Sequence, residues 1–319
     1  MSASAGLPFL ANKKAESPKA LLQRAQNVEP ARVVIAQAAA ALPLKAAKAA
    51  LEARVATPLF TGARAAIEAE ANTFGWSVAN LEVIDADGEA GCARAAFIAV
   101  REGRADAVMK GHLHTDILMK AALDREHGVR IGRRFVHVFH MTAPGSDQAL
   151  LLSDCAVNVN PNLETHKDSL RAMVTVAKAI GIAKPKLALL CATETPIKSV
   201  PSSMAAQALK EWAVKGLPEA IVGGPYALDG VLSAEAAAIK GLGDAPCAGG
   251  HADGILAPSL DTGNALFKAF VYLSGACAAG VVMGGAVPVL LTSRADSPES
   301  RLASFALASI LARTEAGHR

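Results

Sequence analysis

Short apolar runs alternate along this chain with longer alanine-rich stretches of helical period, and that alternation limits the fold more than any other feature. RVVIAQ is followed by PLKAAKAALEARV, TPLFTG by ARAAIEAEANTFG and LEVID by AGCARAAFIAVREG, and then comes ADAVMKG. A strand that returns through a helix enters the sheet parallel to its predecessor. The pattern predicts an α/β protein: a mainly parallel sheet covered by helices on both faces, three layers in all. KLALLC, EAIVG, GILAP, GVVMG and VPVLLTS carry the strand signal into the second half. Between the first two, SSMAAQALKEWAVKG reads as a helix capped by Ser203 and ended by Gly216. FVHVFHM, ALLLSD and CAVNVN lie close together and read as a meander carrying the chain from one domain to another.

With 319 residues the chain has room for about two domains of roughly 150 residues each. Hydrophobic residues make up 52% and charged ones 19%, a balance that excludes wholesale disorder. The net charge of +3 comes without long runs of either sign, so no nucleic-acid stripe is expected, while small anions stay open as ligands. Cys92, Cys155, Cys191, Cys247 and Cys277 form no C-x-x-C pair, which suits reduced thiols and a cytoplasmic setting. MSASAGLPFLANKKAESPKA has no basic start followed by an apolar core and is expected to be a loose leader. Ala269 to Ser293 is free of charge and long enough to span a bilayer. Gly275, Gly280, Gly284, Gly285 and Pro288 punctuate it, so it is read as a helix end, a loop and two buried strands.

Three segments could carry chemistry. In VPVLLTSRADSPESRLASFALASILAR a strand ends at Thr292-Ser293-Arg294, and Ser297 caps a long amphipathic helix with Pro298 at its first position. Such a turn lies at the carboxyl edge of a parallel sheet, where ligands bind and a helix start offers free N–H groups. Ser293 adds a hydroxyl, Arg294 a bidentate anion donor and Asp296 a carboxylate. A solvated turn with a helix cap explains the same residues. In VMKGHLHTDILMKAAL a strand runs into Lys110-Gly111-His112 and a new helix, where Lys110 and Thr115 could hold an anion. His112 and His114 have zinc-ligand spacing, with His137 and His140 as further imidazoles, yet they fit an anion site or a plain surface equally. In PSLDTGNALFKAFVYLSG, Asp261 or Thr262 is expected to cap a helix on which Asn264, Lys268 and Tyr272 share one face. That stripe faces a ligand cleft, or Lys268 simply lays its stem over apolar neighbours. GxxxxGK[ST], GxGxxG and G-x-S-x-G are all missing, which weakens nucleotide-phosphate and serine-triad chemistry.

Taken in order, MKGHLHTDILMKAAL, GRRFVHVFHM with APG, VNPNLETHKD, GGPYALDGVLS, ADGILAPSLDTGNALFKAFVYLSGA and VPVLLTSRADS resemble the phosphate acetyl/butyryl transferase family, including the acyltransferase portion fused to enoyl-CoA hydratases. The resemblance runs from about Ala105 to Ala303. It implies transfer of an acyl group, acetyl or butyryl, between coenzyme A and phosphate. It also implies two α/β domains like those of isocitrate and isopropylmalate dehydrogenases, here 1–145 with 280–319 and 146–279, with the active site in the cleft between them. Ser293-Arg294 matches the family's Ser-Arg pair, with Arg294 for phosphate and oxyanion, Ser293 for the CoA sulfur and Asp296 as the base. Lys110, His112, Thr115, Arg134 and His137 fall to phosphate binding, and Asn264, Lys268 and Tyr272 to coenzyme A. No metal and no cofactor beyond the thioester substrate is expected, and the partner is a second copy in a homodimer. The chain departs from the family pattern at Gly223, Gly230 and Val136, and Ser300 stands where the acetyl branch has an acid. A metal-dependent hydrolase or dehydrogenase on the same fold, and a non-catalytic acyl-CoA or phosphate binder, are the rival functions.

Overall fold

The computed structural model describes residues 9–11, 13–293 and 295–314. They form a mixed α/β fold with a mostly parallel sheet and helices, grouped into two compact units. The first unit comprises Lys19–Val138, Lys178–Ile182 and the described residues of 279–319. The chain crosses after Val138 and Ala278, against expected crossings after 145 and 279, and the described residues before 19 group with the second unit.

In chain order the first unit holds α1 (Lys19–Gln26), β1 (Ala31–Ala36), α2 (Ala41–Glu52), β2 (Ala56–Thr61), α3 (Arg64–Asn72), β3 (Val83–Ile84), α4 (Gly88–Arg101), β4 (Ala107–Lys110) and α5 (Thr115–Ala122). The chain leaves it along β5 (Val136–Thr142). The second unit follows with β6 (Ala149–Ser153), α6 (Leu163–Ala179), β7 (Lys186–Leu190), α7 (Pro201–Gly216), β8 (Ile221–Tyr226), α8 (Leu228–Leu232), α9 (Ala234–Ile239), β9 (Gly254–Leu256) and α10 (Leu260–Ser274). Strand β10 (Cys277–Met283) leads back to β11 (Val289–Leu290) and α11 (Pro298–Ala312).

Strand order in the first unit is β3-β2-β1-β4-β11, all parallel, with β10 antiparallel beside β11. The second unit's order is β6-β9-β7-β8, again parallel. Strands buried on both faces must be apolar throughout, which is why the short runs of Val, Ile, Leu and Ala show little alternation. Ile35, Phe60, Phe97 and Phe305 anchor one core, and Leu151, Leu152, Leu170 and Met173 the other.

Several sequence expectations change here. CAVNVN is no strand: Asp154 accepts the N–H groups of Ala156, Val157 and Asn158, which folds the segment into a turn. Helix α7 starts at Pro201, and Ser203 is no cap because its hydroxyl bonds Ile197 and Val200 backbone. Ser259, and neither Asp261 nor Thr262, caps α10 by accepting the Thr262 N–H. Helix α11 does begin with the Ser297 cap and Pro298, but it is buried on nearly every side, so it is a core helix and not an amphipathic one. The uncharged stretch from Ala269 is the end of α10 followed by β10 and β11, and among the described residues no helix is long and apolar enough to cross a membrane. All five cysteines are buried and none forms a disulfide. Most of the expected leader, residues 1–8 and 12, lies outside the described residues.

The end of β4 depends on a glycine. The Gly111 and His112 N–H groups donate to the Ala36 and Gln37 carbonyls at 2.9 and 2.8 Å, and a Cβ on Gly111 would run into both oxygens. Gly111→Ala should therefore cost about 1–3 kcal/mol of stability through overpacking; chemical denaturation checks this, and an unchanged midpoint would contradict the contact.

Candidate active site

Strand β11 lies on β4 in parallel register, Val289 opposite Val108 and Leu290 opposite Met109, so the two chains leave the sheet at the same edge. Just past it, the Thr292 hydroxyl donates to the Lys110 carbonyl at 3.4 Å. A cavity of about 240 Å³ opens there within the first unit, lined by Lys110, Gly111, His112, Thr292, Ser293 and Arg301 and by the start of α2. Loops at the carboxyl edge of a parallel sheet are the usual place for a ligand.

The turn after β11 is tightly bonded. Asp296 accepts the Ser293 N–H at 2.6 Å, and the Asp296 N–H returns to the Ser293 carbonyl at 3.2 Å. Ser293 Oγ accepts from the Ala295 N–H at 3.2 Å. Arg301, only 5% exposed, donates from Nη2 to the Ser293 carbonyl at 3.1 Å. Burial pushes the Asp296 carboxyl above its ordinary value, while the Ser293 N–H and the positive charges of Arg301 and Lys110 pull it back. The arrangement is a hydroxyl and a carboxylate on one turn, facing a lysine ammonium, an imidazole and a buried guanidinium. It can hold an anion and exchange a proton beside it.

The structure thus brings together Lys110, His112, Ser293 and Asp296 of the expected residues, whereas Arg294 lies outside the described residues. Thr115 opens α5 and is exposed, away from the cavity lining, as is Arg134. His137 is buried in β5 at 1% exposure, so its expected phosphate contact is closed to solvent in this chain, and His140 beside it is buried as well. His114 caps α5 and turns toward Glu89, whose carboxylate lies 2.9 Å from Nδ1 and accepts the His114 N–H. Among the described residues no group of three or more His, Cys, Asp or Glu could hold a metal ion. In the second unit, Asn264 donates to the Cys155 carbonyl at 3.1 Å, while Lys268 and Tyr272 are exposed on α10.

Arg301 is the residue the sequence reading passed over. Its signal was there: a guanidinium four residues past the Ser297 cap, in a helix that beyond Glu299 is otherwise Ser, Leu, Ala, Phe and Ile, has to find a partner.

The family model described as "Phosphate acetyl/butaryl transferase" matches residues 89–309, a span that takes in every residue of this cavity outside the start of α2. The chain belongs to the phosphate acetyl/butyryl transferase family. It is accordingly a transferase. A phosphate acetyltransferase of Rhizobium meliloti is 37% identical over 92% of each chain. A phosphate butyryltransferase of Clostridium acetobutylicum is 34% identical over 92% of this chain and 97% of its own. Among solved structures, a branched-chain phosphotransacylase from Enterococcus faecalis V583 superposes with a TM-score of 0.78 at 30% identity, covering 89% of this chain and 100% of that one.

A raised folded-state pKa at Asp296 has a defined sign. Stability from the protonated carboxyl is present below the unfolded value near pH ~4 and is lost as pH rises through the higher folded value. Asp296→Asn should melt at or above the wild-type temperature at neutral pH, with the difference closing toward pH ~4. A melting series in which the gap widens in acid would mean that burial is not what governs this carboxyl.

Proposed function

We propose that the chain catalyses acyl-CoA + phosphate ⇌ acyl phosphate + CoA, with acetyl or butyryl as the acyl group, at the Ser293 turn. The observation that carries this is the cavity at the carboxyl edge of β4 and β11, where Lys110, His112 and Ser293 meet over a carboxylate and a buried arginine. A phosphate oxygen attacks the thioester carbonyl, negative charge collects on the carbonyl oxygen, and the C–S bond then breaks to release the thiolate. Such a reaction asks the protein for positioning and fixed donors. Lys110 and His112 hold the phosphate, with Thr115 and Arg134 as outer anion contacts. Arg294 binds phosphate and oxyanion, Ser293 donates to the sulfur as it becomes a thiolate, and Asp296 takes the thiol proton in the reverse direction. Asn264, Lys268 and Tyr272 lie along coenzyme A. No metal and no cofactor beyond the thioester takes part.

We further propose an isocitrate/isopropylmalate dehydrogenase-like arrangement of the two α/β domains, a cytoplasmic location and a homodimer. Supporting the homodimer, Tyr272 and Leu273 at the end of α10 are exposed, at 49% and 51%, while Leu266, Phe267, Phe270 and Val271 pack against the second unit's core. Two adjacent exposed apolar side chains give a second copy a place to seat.

The test is release of free thiol from acetyl-, propionyl-, butyryl- and longer acyl-CoAs, with and without phosphate. Release that ignores phosphate would overturn the acyl-transfer reading. In the same assay Arg294→Lys keeps the charge and loses the planar fork, and turnover should fall by roughly 10²-fold or more. Lys268→Ala removes a contact made equally in ground and transition states, so KM for acyl-CoA should rise while kcat and the KM for phosphate stay nearly fixed. Lower thermal stability with every kinetic constant intact would make Lys268 a packing residue.

A further inference from the structure

The second unit has a cavity of its own, about 330 Å³, at the carboxyl edge of its parallel strands. Leu190 ends β7 and Leu256 ends β9, and both line it together with the first turns of α6 and α7. It shares no residue with the Ser293 cavity or with the Asn264 stripe. Its lining contains no Asp, Glu, Lys or Arg; the polar groups are Asn162, His166 and Ser202, and the rest is Leu, Pro and Ala.

Each polar group has capacity left over. His166 is 7% exposed, and among the described residues no hydrogen bond reaches its ring. Burial holds the imidazole below its ordinary pKa against the pull of Asp154, which favours a neutral ring with one N–H to give. Asp154 is itself occupied, accepting from Ala156, Val157 and Asn158. Asn162 spends its oxygen on the Thr165 N–H and hydroxyl at 2.9 and 3.0 Å, which leaves its amide N–H groups. The Ser202 hydroxyl has the Cys191 thiol at 3.3 Å, a weak partner. Helix α7 starts at Pro201 without a side-chain cap; Pro201 has no N–H and the Ser203 N–H bonds the Val200 carbonyl, so the Ser202 N–H is the first-turn donor left for a ligand.

Charge then selects the ligand. Each helix start carries roughly half a positive charge, and two of them balance about one negative charge. A phosphate dianion would need a lysine or arginine that the lining does not contain. A volume near the lower end of the roughly 300–1,000 Å³ of known ligand pockets leaves space for a tail of a few carbons. We propose that this cavity binds a short-chain monocarboxylate, its head on Asn162, His166 and Ser202 and its tail against Leu190, Ala205 and Leu256.

Calorimetric titration of the full-length chain with butyrate tests this. The wild type should bind one butyrate per chain at roughly millimolar strength or better. His166→Ala should raise Kd about tenfold or more, as loss of one hydrogen bond to a charged group does. Ala205→Phe, at a half-buried helix position facing the cavity, should abolish binding, and Ser293→Ala should leave it unchanged. If Ala205→Phe fails to fold, Ser202→Ala carries the same tenfold criterion. The proposal is overturned by an absence of binding in the wild type, by binding that survives His166→Ala and the cavity variant, or by binding lost in Ser293→Ala. The titration does not depend on thiol release, so either can fail without the other.

Discussion

The register of β11 on β4 is the constraint from which the site follows. Thr292 and Lys110 stand 182 positions apart, yet parallel pairing of Val289 with Val108 delivers both to one edge at the same height. A one-residue slip would invert every side chain of so short a strand. Two features guard against it. Val289 is also held from the other side by Val282 of β10, and α11 packs against β1, β2, β4 and β11. The loops have no freedom left in choosing where to meet.

The fold was readable because helices and strands differ in period, and a strand buried on both faces announces itself as a short apolar run. All the first-unit strands read this way are present. What the sequence could not say was which of several competing acceptors a local donor takes. PSLDTG offers three possible caps, and Ser259 takes the role by accepting the Thr262 N–H. Ser203 sits inside a helix start but finds Ile197 and Val200 first. CAVNVN alternates like a strand, yet a single carboxylate ahead of it gathers three N–H groups and turns the chain. Short polar side chains compete with regular structure, and period alone does not settle that contest.

The site was readable to a similar depth. Carboxyl-edge logic picked out Lys110, His112, Ser293 and Asp296, because a strand followed by a helix start is visible in sequence. His114 went elsewhere for a reason no local pattern shows, since Glu89 comes from α4. His137 was expected at phosphate only through the family resemblance, and it lies in a strand whose every residue is buried. Arg301 was missed because an apolar helix with one arginine looks amphipathic until the whole helix is enclosed.

That enclosure gives Arg301 its effect. A guanidinium at 5% exposure is costly unless its donors are satisfied, and the Ser293 carbonyl is one acceptor within reach. Core packing of α11 and conformation of the turn therefore stabilise each other. The turn in turn fixes Asp296, whose carboxyl receives the Ser293 N–H and feels both Arg301 and Lys110. Burial raises its proton affinity and those charges restrain the rise, so the group is a stronger base than a solvated carboxylate while its charge stays supported. Proton transfer is most effective when acceptor and donor affinities approach each other, and a thiol is a weak acid. For the acyl transfer we propose, moving the Asp296 carboxyl upward beside the charges of Arg301 and Lys110 would narrow that gap.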